Sequence, residues 1–218
     1  MLQTENRDSL FALIQKRAVY EANSRSWMWY WQLLARLGLE IEDCQIVGLD
    51  ISFGGLQEAK TKYGSRGWRY ACARGEELPL RDNSVGGAFC SIALPYMRIP
   101  RVLAELHRVL KPGGFFWASL HPPSFTWSNL RQSFPKPKQS LFRLFVFLNG
   151  MIFHLAGVVL SPGGVSESCQ TERGMRTALK RAGFTDVTSS RIGGRFLLHA
   201  RRTGADAAAE FTTLAKAS

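Results

Sequence analysis

The spacing of apolar residues along this chain changes several times, and each change marks an expected element. In residues 5–16, Leu10, Phe11, Leu13 and Ile14 stand among charged residues at roughly helical spacing, which predicts a helix with Ala18-Val19-Tyr20 as a short strand after it. A second helix is expected over 29–37, stopped by Gly38. The run Gln45-Ile46-Val47-Gly48-Leu49-Asp50 is apolar until its last residue, as in a strand buried on both faces. A helix over 55–63, a short strand over 68–73, a turn at Leu78-Pro79 and a second buried strand over 85–92 follow. Pro100 opens a helix that closes at Leu110-Lys111-Pro112-Gly113-Gly114, and 115–120 is the next apolar strand. Residues 171–181 read as an amphipathic helix ended by Gly183, and strands over 185–191 and 195–202 meet at Gly193-Gly194, a hairpin signal.

Strands alternating with helices predict an α/β fold, a mostly parallel sheet with helices on both faces and a C-terminal antiparallel hairpin, and they place any ligand at the strands' carboxyl ends. With 218 residues, 45% hydrophobic and 21% charged, the composition is that of one globular domain, expected over 1–203 with a frayed tail at 204–218. Twenty-eight Lys and Arg against seventeen Asp and Glu give a net charge of +11, which favours anionic partners. The basic residues form only short groups, at 131–138, Lys180-Arg181 and Arg201-Arg202, so no nucleic-acid stripe is evident and no nucleic-acid partner is expected. Cys44, Cys72, Cys90 and Cys169 match no metal spacing or disulfide framework, pointing to reduced thiols in a cytoplasmic protein and to no metal site. The polar N-terminus lacks the apolar core of a signal peptide.

Chemistry enters at the strand ending Val47-Gly48-Leu49-Asp50, followed by Ile51-Ser52. Its carboxylate suits two roles, accepting hydrogen bonds from both hydroxyls of a ribose or capping a turn. Further along come Glu76-Glu77-Leu78-Pro79-Leu80-Arg81-Asp82-Asn83-Ser84, the strand Ala88-Phe89-Cys90-Ser91-Ile92, and Ala104-Glu105-Leu106-His107-Arg108-Val109-Leu110-Lys111-Pro112-Gly113-Gly114. In this order the segments resemble the type 11 branch of class I S-adenosylmethionine-dependent methyltransferases, a Rossmann-like fold; the resemblance covers residues 46–120 and is most specific at the helix and its Lys-Pro-Gly-Gly end. It implies S-adenosylmethionine as cofactor. Asp50 with Ile51 would take the ribose side, Arg74, Gly75 and Glu76 would lie beside the adenine, and Cys90 and Ser91 would line the sulfonium side with backbone.

The sequence departs from that pattern in three places. Arg74 stands where family members carry an acidic residue near the adenine amino group, and Gly86 replaces an Asp; Arg74 suits either a place over the base or a solvated one. In the glycine-rich loop after the first strand, the best match is Glu21-Ala22-Asn23-Ser24-Arg25-Ser26-Trp27. Glu21 keeps the acidic position and Asn23 tolerates a left-handed backbone, but Arg25 and Trp27 bring bulk where the family has glycine. Strain of about 1–3 kcal/mol at each such position would weaken cofactor binding by roughly a hundredfold. A fold retained without activity, a loop of different geometry and an altered N-terminal segment all account for this.

Methyl transfer needs an aligned acceptor, and a base only where the acceptor is protonated. His121, in Ser119-Leu120-His121-Pro122-Pro123 at a strand's carboxyl end, and Tyr96, in Ala93-Leu94-Pro95-Tyr96-Met97, are the candidates; a strand-end cap and a packing aromatic are their plainer roles. An apolar insertion at about 124–165 contains residues 141–160, where Arg143 is the only charge. It is expected as a helical lid over an apolar acceptor, ahead of peripheral membrane contact and of a true span. The reading is methyl transfer to a small, hydrophobic, lipid-like acceptor; the alternative is a weak or inactive methyltransferase-like domain that binds a ligand or partner.

Overall fold

The computed structural model describes residues 12–15, 46–63, 68–91, 93–120, 123–132, 136–164, 166–192 and 195–204. Seven strands form one sheet: β1 (Ala12–Gln15), β2 (Ile46–Asp50), β3 (Arg69–Cys72), β4 (Val85–Ser91), β5 (Leu110–Leu120), β6 (Phe184–Ile192) and β7 (Arg195–Arg202). Their order is β3-β2-β1-β4-β5-β7-β6, parallel except that β7 runs antiparallel to both its neighbours. Among the described residues the helices are α1 (Phe53–Tyr63), α2 (Ile99–Val109), α3 (Pro123–Gln132), α4 (Pro137–Ala156) and α5 (Glu172–Arg181), with one-turn 3-10 helices at Leu94–Tyr96 and Pro162–Gly164.

Strand alternation sends side chains to two layers. Val47, Leu49, Ala88, Cys90, Phe116, Ala118 and Leu120 join one buried cluster with Leu103, Leu106 and Val109 of α2 and Met175 and Leu179 of α5. On the opposite face, Tyr70 packs over Gly48 and donates its hydroxyl hydrogen to Ala59 O of α1 at 3.3 Å. A β-carbon at Gly48 would meet the Tyr70 ring at 2.9 Å, so glycine is what lets that ring lie against the strand.

Two local expectations change. Residues 5–16 were expected to be helical, yet Ala12–Gln15 is a strand, paired with Ile46–Leu49 on one side and Gly87–Cys90 on the other. A short apolar run fits either period, and the two parallel neighbours decide it. The expected strand at Ala18-Val19-Tyr20 and the helix over 29–37 lie outside the described residues, as does the tail beyond 204. Pairing of β5 with β4 begins at Leu110, directly after α2, so Lys111-Pro112-Gly113-Gly114 is an irregularity inside a strand, between the pairs Val85↔Leu110 and Gly87↔Phe115. Gly113 has φ +74°, a backbone that glycine adopts without strain.

The insertion consists of α3, α4 and the second 3-10 turn. Helix α4 is bolted to the domain along one side, where Val146, Asn149, Gly150 and Phe153 are buried. Asn149 Nδ2 donates to Leu160 O and Glu167 O, both at 3.0 Å, and its Oδ1 accepts from Leu160 N at 2.8 Å. A β-carbon at Gly150 would lie 2.3 Å from Cys169 Sγ and about 3 Å from the Cys169 backbone. Gly150→Ala is therefore expected to cost about 1–3 kcal/mol by overpacking, read as a lowered melting temperature; an unchanged melt would mean that α4 does not approach Cys169 so closely.

Candidate functional site

The strand order reverses between β1 and β4, and such a switch point opens a crevice at the carboxyl ends of the strands. Gln15 closes β1 with Leu49 on one side and Cys90 on the other, so the ends of β2 and β4 flank it. Asp50 ends β2, is 5% exposed, and accepts from Ser52 N through Oδ1 at 2.8 Å. Helix capping falls to Ser52, whose Oγ accepts from Gly55 N at 3.1 Å. The carboxylate thus sits at the crevice without being the α1 cap itself. Ile51 follows it, half exposed, and Ala73 N donates to Asp50 O at 3.0 Å, which brings the turn at Arg74 and Gly75 alongside.

That turn is held from below. Arg74 and Glu77 form an isolated bridge, Gly75 is buried and the Arg74 side chain is exposed. Glu76 faces the start of α2, where its Oε1 accepts from Arg98 N at 3.0 Å, and its Oε2 lies 3.9 Å from Arg74 Nε. Glu105 Oε2 accepts from Leu78 N at 2.8 Å. Arg108 donates to Glu105, to Asp82 Oδ1 at 2.6 Å, and to the carbonyls of Leu80 and Leu78 at 2.8 and 3.0 Å. The hydrogen bond from Arg108 is the main reason the Glu105 carboxyl lies below the ordinary carboxylate range. The helix motif that carries the family resemblance is therefore a clamp on the loop beneath the crevice.

At the end of β4, burial pushes the Cys90 thiol up to about 12, against the opposing effect of the Ala93 and Leu94 amides. A neutral thiol is a poor nucleophile, so Cys90 contributes a compact apolar wall. Among the described cysteines, Cys72 is exposed while Cys90 and Cys169 are buried. Brief alkylation of the native protein is expected to label Cys72 and spare Cys90 and Cys169, read by peptide mass spectrometry; rapid labelling of Cys90 would contradict the closed β4 end.

Tyr96 lines a second feature, a shallow groove open to solvent between the turn after β4, α3, α4 and residues 167–170. Phe125, Val146 and Pro95 supply apolar wall, and Arg143 pairs with Glu167 at 3.0 Å, so the one charge of the apolar segment is neutralised there. Gln170 is 1% exposed. Its Nε2 donates to Ser168 O at 2.7 Å and to Ser168 Oγ at 3.0 Å, which fixes the amide orientation and leaves Oε1 a buried acceptor without a partner.

Asp50, Ile51, Arg74 and Gly75 are thus gathered at one end of the sheet, with Cys90 across β1, while Tyr96 belongs to the groove. Glu21, Asn23, His121 and the Ser91 side chain lie outside the described residues. Gln170 and the Arg143–Glu167 pair were not legible in the sequence, because they meet only once α4 packs on the segment before α5. Among the described residues no cluster of His, Cys, Asp and Glu could hold a metal ion.

The strand order and the crevice define a class I methyltransferase fold, and solved structures share it. The CMeT domain of the citrinin polyketide synthase superposes with a TM-score of 0.61 at 13% identity, over 92% of this chain and 48% of that one. A SAM-dependent methyltransferase from Methanosarcina mazei gives 0.54 at 16% identity, over 90% and 94%. In sequence, residues 28–118 match the model of the methyltransferase domain family, type 11. A malonyl-[acyl-carrier protein] O-methyltransferase of Marinomonas sp. is 39% identical over 32% of this chain and 26% of its own length. A human thiol S-methyltransferase is 37% identical over 32% and 30%. The matched stretch spans about a quarter to a third of these relatives' length.

Proposed function

We propose that this chain transfers a methyl group from S-adenosylmethionine to a small, hydrophobic acceptor. The observation that carries the reading is the buried Asp50 carboxylate at the end of β2, one strand from the switch point. The donors and acceptors present fit the cofactor: a carboxylate suited to a vicinal diol, the half-exposed Ile51 as an apolar surface for a base, and a turn at Arg74-Gly75 beside it. When bound, the cofactor supplies an electrophilic methyl on a sulfonium. Asp50 holds the ribose, Cys90 stays protonated and so does not compete for the methyl, and the groove at Tyr96 orients the acceptor. The relatives' names include O- and S-methyl transfer, so the branch leaves the acceptor atom open.

Incubation with methyl-labelled cofactor and a panel of apolar phenols, carboxylic acids and thiols is expected to move label into the organic phase. Folded protein that binds cofactor yet labels none of them would count against an apolar acceptor.

A second reading has its own support. No glycine precedes Gly38, so the chain leaving β1 has none in the stretch where the family turns tightly. A methyltransferase-like domain acting by binding would retain this fold and show no transfer.

A further inference from the structure

We propose that the hairpin of α3 and α4 docks this chain on an anionic lipid bilayer through one face of α4. Leu141, Leu144, Leu148, Met151 and Leu155 recur every three or four residues, a single helical stripe, and are between 43% and 70% exposed. Trp127 of α3, also half exposed, packs against Phe147 of α4 with ring centroids 5.9 Å apart, which widens the stripe with an aromatic suited to a headgroup boundary. The helix is long and apolar enough to cross a membrane by length and composition. Its other side forbids that: Val146, Gly150 and Phe153 are buried in the domain, and Asn149 makes three hydrogen bonds to chain beyond the helix. A helix fixed along one side and apolar along the other can lie in an interface but not span it.

Charge selects the occupant. No Asp or Glu occurs between Glu105 and Glu167, a stretch that contains the whole hairpin. Exposed Arg131 lies in the last turn of α3, exposed Lys136 precedes α4, and exposed Lys138 stands one turn before Leu141 on the same side, where its stem can run along the stripe to headgroup phosphates. A second copy of a chain with net charge +11 would bring like charge to like, whereas an anionic surface complements it. The inference is independent of methyl transfer, since it uses only the outer face of the hairpin.

The full-length chain is to be sedimented with phosphatidylcholine vesicles, with and without phosphatidylglycerol. Binding is expected to the anionic vesicles and to weaken with salt. Combined substitution Leu144→Gln, Leu148→Gln and Leu155→Gln is expected to reduce it by about tenfold or more with the melting temperature retained, because these side chains are exposed. Lys136→Gln and Lys138→Gln should each weaken it about fivefold, a test that stands even if the leucine variant fails to fold. Absence of binding to anionic vesicles, or binding untouched by these substitutions, overturns the proposal. So does a dimer in sedimentation equilibrium that the leucine substitutions dissociate while vesicles remain unbound, which would assign the face to a second copy.

Discussion

Replacing Asp50 with alanine should weaken S-adenosylmethionine binding by about ten- to a hundredfold. Each hydrogen bond to a charged acceptor is worth about 1.5–3 kcal/mol, and this carboxylate sits 5% exposed at the crevice, where water compensates poorly for its loss. Alanine also strands Ser52 N, which donates to Oδ1 at 2.8 Å, so part of the effect would be a loosened β2–α1 turn. Asp50→Asn separates the two. The amide keeps an acceptor for Ser52 N but cannot accept from two hydroxyls at once. Asparagine should leave the melting temperature near that of the parent and still weaken binding several-fold, as read by calorimetry. Equal affinity in parent and asparagine variant would show that the carboxylate serves the turn and not a ribose.

Arg108→Leu should destabilise the domain by about 2–3 kcal/mol. The guanidinium bonds the Glu105 carboxylate, Asp82 Oδ1 and the carbonyls of Leu78 and Leu80, and removing it leaves several of these with no replacement. Its side chain is one-third exposed, so water recovers part of the loss and the figure stays below that for a fully buried network. In a domain of this size the melting temperature should fall by roughly 4–10 °C. A pH signature accompanies it. The Glu105 carboxyl is lowered from 4.5, chiefly by the Arg108 hydrogen bond, so its stabilisation is complete above the unfolded value and disappears as pH falls from there through the lowered folded value. Arg108→Leu should lack that component of the acid loss. A leucine variant with the parent's melt and acid profile would remove the clamp from the account.

The clamp also shows why the family was legible in the sequence when much of the site was not. Glu105 and Arg108 fall three residues apart on one helix and bond a loop 27 to 30 residues earlier, so a local pattern encodes a long-range contact. Asp50 was legible because a strand buried on both faces has little reason to end in a carboxylate unless it meets something polar. The strands β2, β3, β4, β6 and β7 came within a few residues of expectation because their apolar runs are bounded by turn residues, whereas β5 begins at Leu110, inside the stretch expected as a turn. β1 did not match expectation, since four apolar and polar residues fit a helix or a strand until β2 and β4 are placed on either side. Gln170 gave no local signal at all: its buried acceptor exists only because Ser168 takes both of its donor contacts. Likewise the stripe on α4 reads in sequence as a uniformly apolar segment, and only the burial of Asn149, Gly150 and Phe153 divides it into a docked side and an open one.

The glycine-free stretch ahead of Gly38 and the carboxylate at Asp50 pull in opposite directions, and cofactor affinity decides between them. Calorimetric titration of the purified chain with S-adenosylmethionine, alongside Asp50→Asn, is the most direct test. Micromolar one-site binding that weakens in the variant is the result this account predicts. Folded protein with no heat of binding at millimolar cofactor would contradict it and leave a methyltransferase fold with another use.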